Sequence, residues 1–182
     1  SAPDAVAVSS LRSIADFKVG DEDDDGIARA IGDNRPRLLH IINAGDVLIL
    51  CDRGCYLISL RDGNLLTPAS FSPIKFDARG SDAARPVKVD DGVVFIEAGR
   101  TAISAATLSG NIYLKWSVRT ISTFHSQPFA APQALCGPPT NCTFEDKYLF
   151  ILNEDGTLVA MSWVDGFDVE KVGFVPWTTA GD

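Results

Sequence analysis

The chain has few of the residues that nucleophilic catalysis and metal sites commonly use. Its only histidines are His40 and His125. No Gly-x-Ser-x-Gly segment marks a nucleophile elbow, and no glycine-rich loop leads from a strand into a helix to hold a phosphate. His40 lies in an apolar strand, and His125 has only sequence neighbours, Thr123 and Ser126, which do not make a catalytic triad. We therefore expect no catalytic residue, no bound cofactor and no enzymatic activity.

Basic clusters and long apolar runs are also missing. The formal net charge is −8, and the nearest approach to a basic cluster is Arg35 and Arg37 on either side of Pro36. Since phosphate binding requires grouped Lys and Arg, we expect no specific nucleic-acid binding. No apolar run reaches the length of a membrane-spanning helix, and residues 1–8 lack the features of a signal peptide. We expect no membrane partner.

The four cysteines are Cys51, Cys55, Cys136 and Cys142, and their spacings match no common zinc site. Cys51 and Cys55 flank residues 52–54, which are predicted to form a three-residue hairpin loop. The two side chains should then face each other across the strands, where two buried thiols are favoured over a disulfide. Cys136 and Cys142 bracket a short loop that allows a disulfide. The redox state of all four stays open.

One acidic segment is similar to the first half of a calcium-binding loop. Asp21, Asp23 and Asp25 precede Gly26 in the pattern D-x-D-x-D-G, which places oxygen ligands at alternating positions. The second half is missing, because Gly32 stands where the closing Glu belongs. A solvated acidic loop is favoured, so we assign no metal ligand here, and calcium binding by these aspartates stays open.

The clearest feature that is present is one pattern repeated three times, an apolar strand, a tight turn with glycine, and a second apolar strand. The turn glycines are Gly54, Gly99 and Gly156. The first strands of the three hairpins, residues 47–50, 93–96 and 148–152, should fill the core. Since a repeated hairpin cannot bury its faces alone, it must stack beside its copies.

These repeats predict an all-β fold of antiparallel hairpins arranged as β-propeller-like blades. The prediction covers a partial propeller as well as a complete one. A β-sandwich or a meander is the alternative. We divide the chain into an N-terminal segment with the acidic loop, residues 1–37, and a β-repeat domain, residues 38–182, packed as one domain. Residues 27–31 have helical spacing, residues 118–124 suit a helical turn or a strand, and residues 126–139 should be irregular.

Short motifs follow one another in a recognisable order along most of the chain. They are Asp24-Asp-Gly-Ile27, the Asp-Arg-Gly hairpin within Leu38–Leu60, Leu66-Thr-Pro68, Arg85-Pro-Val87 with Val93–Ile96 and Gly99-Arg100, Tyr113 with Ser117–His125, Leu152–Leu158, and Trp177–Gly181. In this order they resemble the tailed-bacteriophage proteins called tail nozzle, tail tubular protein B or phage stabilisation proteins. The family's Asp-Leu-Thr stretch is replaced by Val118–Ile121. Family members are far longer, so we expect a fragment, a domain or a reduced relative.

The resemblance implies a structural protein of the virion, similar to a tail nozzle or adaptor, with a propeller-like body. Such a protein assembles with other phage tail proteins, forms a homo-oligomer in the virion, and lets DNA pass without specific binding. It is made in the cytoplasm of the bacterial host and resides in the virion. The alternative function is a calcium- or carbohydrate-binding module, or an enzyme, on a propeller scaffold.

Overall fold

The computed structural model describes residues 4–10, 13–32, 35–59, 66–89, 92–110, 115–125, 128–137, 148–164 and 171–178. Within these ranges the strands number fourteen and pair antiparallel in one two-stranded and three four-stranded sheets. The all-β, antiparallel prediction is confirmed. No helix among these residues is long and apolar enough to cross a bilayer.

The chain divides into two compact units, Ser1–Ala78 and Arg79–Asp182. The predicted N-terminal segment, residues 1–37, lies in the first unit together with the first four-stranded sheet. The proposed separation of residues 1–37 from residues 38–182 stays a prediction.

The first unit contains a hairpin of two strands and a sheet of four, which we call the first sheet. Its strands are β1 (Ala5–Val8), β2 (Ile27–Ala30), β3 (Leu38–Ala44), β4 (Asp46–Cys51), β5 (Gly54–Ile58) and β6 (Ile74–Asp77). The hairpin pairs β1 with β2, and the first sheet has the order β3-β4-β5-β6. Every strand of this sheet therefore pairs with its neighbours in sequence.

The core of the first unit lies between the hairpin and one face of the first sheet. Val6, Ile27 and Ile31 cluster there with Ile49 and Tyr56. The helical spacing of residues 27–31 does not produce a helix. So short a segment gains little from helical hydrogen bonds, whereas pairing with β1 satisfies its backbone and buries Ile27 and Ile31.

The second unit contains two sheets of four strands. The second sheet consists of β7 (Val87–Val89), β8 (Gly92–Ile96), β9 (Ile103–Ser109) and β10 (Lys115–Thr120), and the third sheet of β11 (Pro132–Cys136), β12 (Tyr148–Asn153), β13 (Leu158–Trp163) and β14 (Val172–Trp177). In both sheets the strand order again follows the chain.

These two sheets share one hydrophobic core. Val94 and Ile96 of the second sheet cluster there with Leu149, Ile151 and Met161 of the third sheet. All five side chains are fully buried. The shared core fixes which faces of the two sheets point toward each other.

The structure settles one segment that the sequence left open and corrects another. Residues 118–124 divide into the end of strand β10 and a turn. Residues 126–139, expected to be irregular, contain strand β11, which pairs with β12 at the edge of the third sheet. Proline is tolerated at the first position of an edge strand, where Pro132 stands, and the register shifts between Pro132 and Ala134.

The three predicted hairpins are antiparallel, as expected. Gly99 and Gly156 have φ of 92° and 84°, so these turns use the left-handed region that favours glycine. The first loop is shorter than predicted. Cys51 pairs with Gly54, so the loop is residues 52–53, and Gly54 already belongs to β5. Two-residue loops are the commonest connection in β-hairpins.

The central hairpins of the second and third sheets are alike, although the turn of the second sheet, residues 97–102, is one residue longer than that of the third, residues 153–157. In each hairpin the last cross-strand hydrogen bond lies beside the turn. The Glu97 N–H donates to Ala102 O in the second sheet, and the Asn153 N–H donates to Thr157 O in the third. The preceding cross-strand pairs are Ile96↔Ile103 and Val94↔Ala105 in the second sheet, and Leu152↔Leu158 and Phe150↔Ala160 in the third. The repeated pattern in the sequence is therefore a repeated antiparallel hairpin in the structure.

Candidate functional site

The acidic loop between β1 and β2 gathers a different set of carboxylates from the predicted one. Within the described ranges, the carboxylate oxygens of Glu22, Asp24 and Asp25 lie within 4.8 Å of one another. The sequence pattern D-x-D-x-D-G had instead predicted that the carboxylates of Asp21, Asp23 and Asp25 lie together. Strict alternation would require an extended loop, and this loop contains a tight turn.

The turn is held by its own hydrogen bonds. Asp25 Oδ2 accepts a bond of 3.1 Å from the Glu22 N–H, and the Asp25 N–H donates to Glu22 O at 3.0 Å. One carboxylate oxygen is thus occupied by the backbone. Glu22 is exposed, and Asp24 and Asp25 are half-buried. An acidic turn of this kind is stable as a solvated loop, and it carries no metal assignment.

Cys51 and Cys55 are buried free thiols. Cys51 pairs with Gly54 and Cys55 with Leu50, so the two cysteines lie on opposite faces of the first sheet. The prediction that they face each other was wrong, because the loop between them is one residue shorter than expected. The prediction of two buried thiols is confirmed.

The three described cysteines differ in exposure, since Cys51 and Cys55 are buried. Burial, and then the Asp52 carboxylate, raise the pKa of Cys51 to about 11, although the nearby Lys75 ammonium acts in the opposite direction. Because the thiolate is the reactive form, Cys51 is a poor nucleophile at neutral pH. Cys136 is free and exposed. Cys142, and with it the predicted loop between Cys136 and Cys142, lies outside the described residues.

The two histidines lie in different units. His125 follows the turn after β10, and its ring packs at 5.4 Å and 50° against the ring of Phe174. The neighbouring Thr123 hydroxyl donates to Thr120 O at 2.8 Å. His125 therefore packs against an aromatic ring, and its described hydroxyl neighbour bonds to the backbone. A shallow pocket of about 430 Å³ lies here, lined by Phe124, His125, Pro128, Phe174 and Pro176.

A polar cluster at one end of the second sheet was not predicted from the sequence. The hydroxyls of Ser104 and Thr120 both donate to Oε1 of Glu97, the bond from Thr120 being 2.6 Å. Ser104 is fully buried. The register places these groups together, because Ser104 pairs with both Phe95 and Thr120. Ser, Thr and Glu are too common in strands for their sequence positions alone to reveal such a cluster.

A second polar network holds the turn of the third hairpin. Asn153 is fully buried, and its Nδ2 donates to Pro128 O and to Thr157 Oγ1, each at 2.9 Å. Its Oδ1 has no hydrogen-bond partner within the described part of the chain. Asp155 accepts bonds from the Thr157 hydroxyl and N–H, and these lower the pKa of Asp155. These hydrogen bonds together fix the conformation of the turn.

A polar depression of about 670 Å³ lies in the first unit, between β5, β6 and the segment after β2. Its charged lining residues are Arg53 and Lys75. The Nζ atom of Lys75 donates to Arg53 O at 3.1 Å and lies 5.8 Å from the centroid of the Tyr56 ring. The ammonium charge is therefore already engaged by a carbonyl and an aromatic face.

Strand β12 carries apolar side chains on both of its faces. Leu149 and Ile151 point into the core of the second unit, where they are fully buried. Tyr148, Phe150 and Leu152 alternate with them and are only half-buried. The prediction that residues 148–152 fill the core holds for one face of the strand. A continuous apolar run is typical of a strand covered on both faces.

The half-buried side chains of β12 extend into an apolar surface, which we call the aromatic face. It consists of Tyr148, Phe150, Leu152, Leu158, Ala160, Val175 and Trp177. The register puts them on one side of the third sheet, since Phe150 pairs with Ala160, and Ala160 with Val175. Val175 is 61% exposed and Trp177 51% exposed.

Its aromatic rings are ordered with respect to one another. Phe150 packs edge-to-face against Tyr148 and against Trp177, with 5.5 Å between ring centroids in each pair. Trp116 and Trp163 are buried, whereas Trp177 is 51% exposed, and an exposed aromatic ring with a polar N–H suits an interface. A preformed set of rings loses little conformational entropy when another surface covers it.

The most distinctive feature of the described residues is thus an apolar sheet surface. The buried thiol, the packed histidine ring and the hydrogen-bonded hydroxyls each have a structural role. No protein-family model matches this chain, and no curated protein matches it.

Proposed function

We propose that this chain is a structural component of a bacteriophage or prophage tail, similar to a nozzle or adaptor, that acts by assembly with other tail proteins. The observation that carries the proposal is the aromatic face of the third sheet, because an ordered apolar surface with a half-exposed Trp is typical of a docking surface. The phage assignment itself rests on the order of the sequence motifs.

The proposal includes the propeller-like arrangement of the sheets. The three four-stranded sheets are, in this proposal, consecutive blades of a propeller-like body. Two observations support this. In each sheet the strand order follows the chain, as in a propeller blade, and the central hairpins of the second and third sheets end on an equivalent hydrogen bond beside the turn. A sandwich would favour connections that cross between its two sheets.

The protein acts without catalysis in this proposal. Three observations on the described residues support that part. Burial raises the pKa of the Cys51 thiol to about 11, the Ser104 hydroxyl donates to Glu97, and the His125 ring packs on Phe174. Each of these three groups is thereby held in a structural interaction.

The net charge supports the proposed place of the protein in the tail. A formal net charge of −8 disfavours binding to the phosphate backbone. A tail wall with this charge lets DNA pass without holding it. In the proposal the protein forms a homo-oligomer in the virion, after synthesis in the host cytoplasm.

The test is reconstitution with neighbouring components. The chain would be co-expressed with the products of the genes adjacent to its own, purified through a tag, and viewed by negative-stain electron microscopy. We expect rings or tail-like particles that contain the chain. A chain that joins none of these products, and that turns over a small substrate in a broad hydrolase screen, would overturn the proposal.

A further inference from the structure

We propose that the polar depression of the first unit binds the phosphate or carboxylate group of a small polar ligand, through the side chains of Arg53 and Lys75. This inference goes beyond the proposed assembly function and does not rest on it. The depression has a volume of about 670 Å³, and all of its described lining residues belong to the first unit. A depression of this size is typical of a small-molecule site and exceeds what a bare ion requires.

The fold brings together basic residues that the sequence keeps apart. Arg53 lies in the loop between β4 and β5, and Lys75 stands 22 positions later, in β6, yet both line the depression. Arg35 and Arg37 flank Pro36, which is a third lining residue. This basic region belongs to a chain whose net charge is −8. Because it reverses the sign of the overall charge, it favours an anionic ligand locally.

The Arg53 guanidinium is only weakly engaged by its protein neighbours. Its Nε lies 3.8 Å from Asp52 Oδ2, while Asp52 Oδ1 accepts the Arg37 N–H at 2.8 Å. The Arg53 side chain is 73% exposed. Among the described residues, no carboxylate pairs with its two terminal nitrogens, which are the donors that bind an oxyanion in fork geometry.

The Lys75 ammonium is held in position without being neutralised. It donates to Arg53 O at 3.1 Å and lies over the Tyr56 ring, and neither partner carries a formal charge at neutral pH. An ammonium has three donors, so this hydrogen bond leaves two of them for a ligand. Gly54 makes the position possible, because a Cβ there would come within 2.6 Å of Lys75 Cε. A cation that is fixed in advance loses little conformational entropy on binding.

The two cations provide complementary contacts to one oxyanion. Arginine binds a carboxylate or a phosphate through two parallel N–H bonds, and lysine adds a compact charge. The hydrogen bond from Lys75 to the main chain of Arg53 keeps both groups at the same side of the depression. The space beside them is bordered by residues with small or cyclic side chains, which are Ala30, Gly32, Pro36 and Pro73. That space accommodates the uncharged body of the ligand.

Titration of the whole chain, followed by the chemical shifts of its backbone amides, tests the proposal with glucosyl phosphate, glucuronate and uncharged glucose. We expect saturable shifts with the acids, largest at residues 53–58 and 74–77, and none with glucose. The acid that binds more tightly identifies the preferred oxyanion. Arg53→Gln and Lys75→Gln should each weaken binding by about 10-fold or more, because each removes a hydrogen bond between charged groups. Lys88→Gln is the matched control, since Lys88 is also an exposed strand lysine but lies in the second unit, and it should bind like the wild type.

The outcomes that would overturn the proposal are distinct. They are the absence of shifts with both acids, equal shifts with glucose, or wild-type affinity in both variants. Tighter binding of a short DNA duplex at the same amides would also overturn it, in favour of contact with a nucleic-acid backbone. Arg53→Gln changes an exposed loop residue, so it tests the site even if Lys75→Gln alters the fold. No tail protein takes part, so failure here leaves the assembly function standing.

Discussion

Thr120 and Glu97 are joined by a 2.6 Å hydrogen bond from the Thr120 hydroxyl to Glu97 Oε1, and the buried Ser104 hydroxyl donates to the same oxygen. We expect Glu97→Ala to lower the free energy of unfolding by about 1–3 kcal/mol, because it removes the acceptor of a buried donor. Denaturant unfolding measures the change. Glu154→Ala, at an exposed turn position, is the control and should stay within about 0.5 kcal/mol of wild type. Equal losses in both variants would contradict the role of the cluster.

The turn of the third hairpin gives a second prediction. Gly156 has φ of 84°, and no atom lies within 4 Å of an added Cβ, so only the backbone conformation opposes a side chain there. Gly156→Ala should cost about 1–2 kcal/mol. Gly173→Ala in β14 is the matched control, because its φ is not positive and its nearest contact would be an ordinary 3.6 Å. Thermal melts compare the two, and an unchanged melt for Gly156→Ala would exclude a left-handed turn residue.

The buried thiol of Cys51 predicts a dependence of stability on pH. Its pKa rises from 9.0 to about 11, mainly through burial, so the folded state binds the proton more tightly than the unfolded state. This contribution is complete below pH 9 and is lost as the pH rises through about 11. The free energy of unfolding should fall over this range, and less steeply in Cys51→Ala than in the wild type. Cys136→Ala, at an exposed thiol, should keep the wild-type slope.

Calcium should leave the melting temperature unchanged. The carboxylates of Glu22, Asp24 and Asp25 form a tight, partly exposed turn in which one Asp25 oxygen accepts a backbone N–H. A ligand that binds only the folded state must raise the melting temperature. Melts in millimolar calcium, in magnesium and in a chelator provide the comparison. A rise with calcium alone would instead support the calcium-binding alternative.

The hairpins were predictable from the sequence because their signals are local. Each apolar run ends at a turn, and Gly99 and Gly156 take the positive φ that such turns require. Strand β11 was not predictable, because its formation depends on β12 as a partner, and the prolines of residues 126–139 argued for a loop. Likewise, residues 27–31 form a strand because β1 pairs with them, although their spacing is helical.

The sequence predicted only part of the aromatic face. The apolar run at residues 148–152 indicated burial, but not that one side of the strand would stay accessible. Val175 and Trp177 join the aromatic face through the register of β13 and β14, which no local pattern reveals. The loop beside Cys51 shows the same limit, since one residue of loop length decides which face each cysteine occupies.

The strand order within the sheets has a consequence for biosynthesis. Each four-stranded sheet is formed by a contiguous stretch of chain, and each strand pairs only with its neighbours in sequence. Such pairing keeps the contact order low for an all-β protein, and low contact order favours fast folding. The first sheet can therefore close on the ribosome before the strands of the third have been synthesised, so the aromatic face forms after the first sheet.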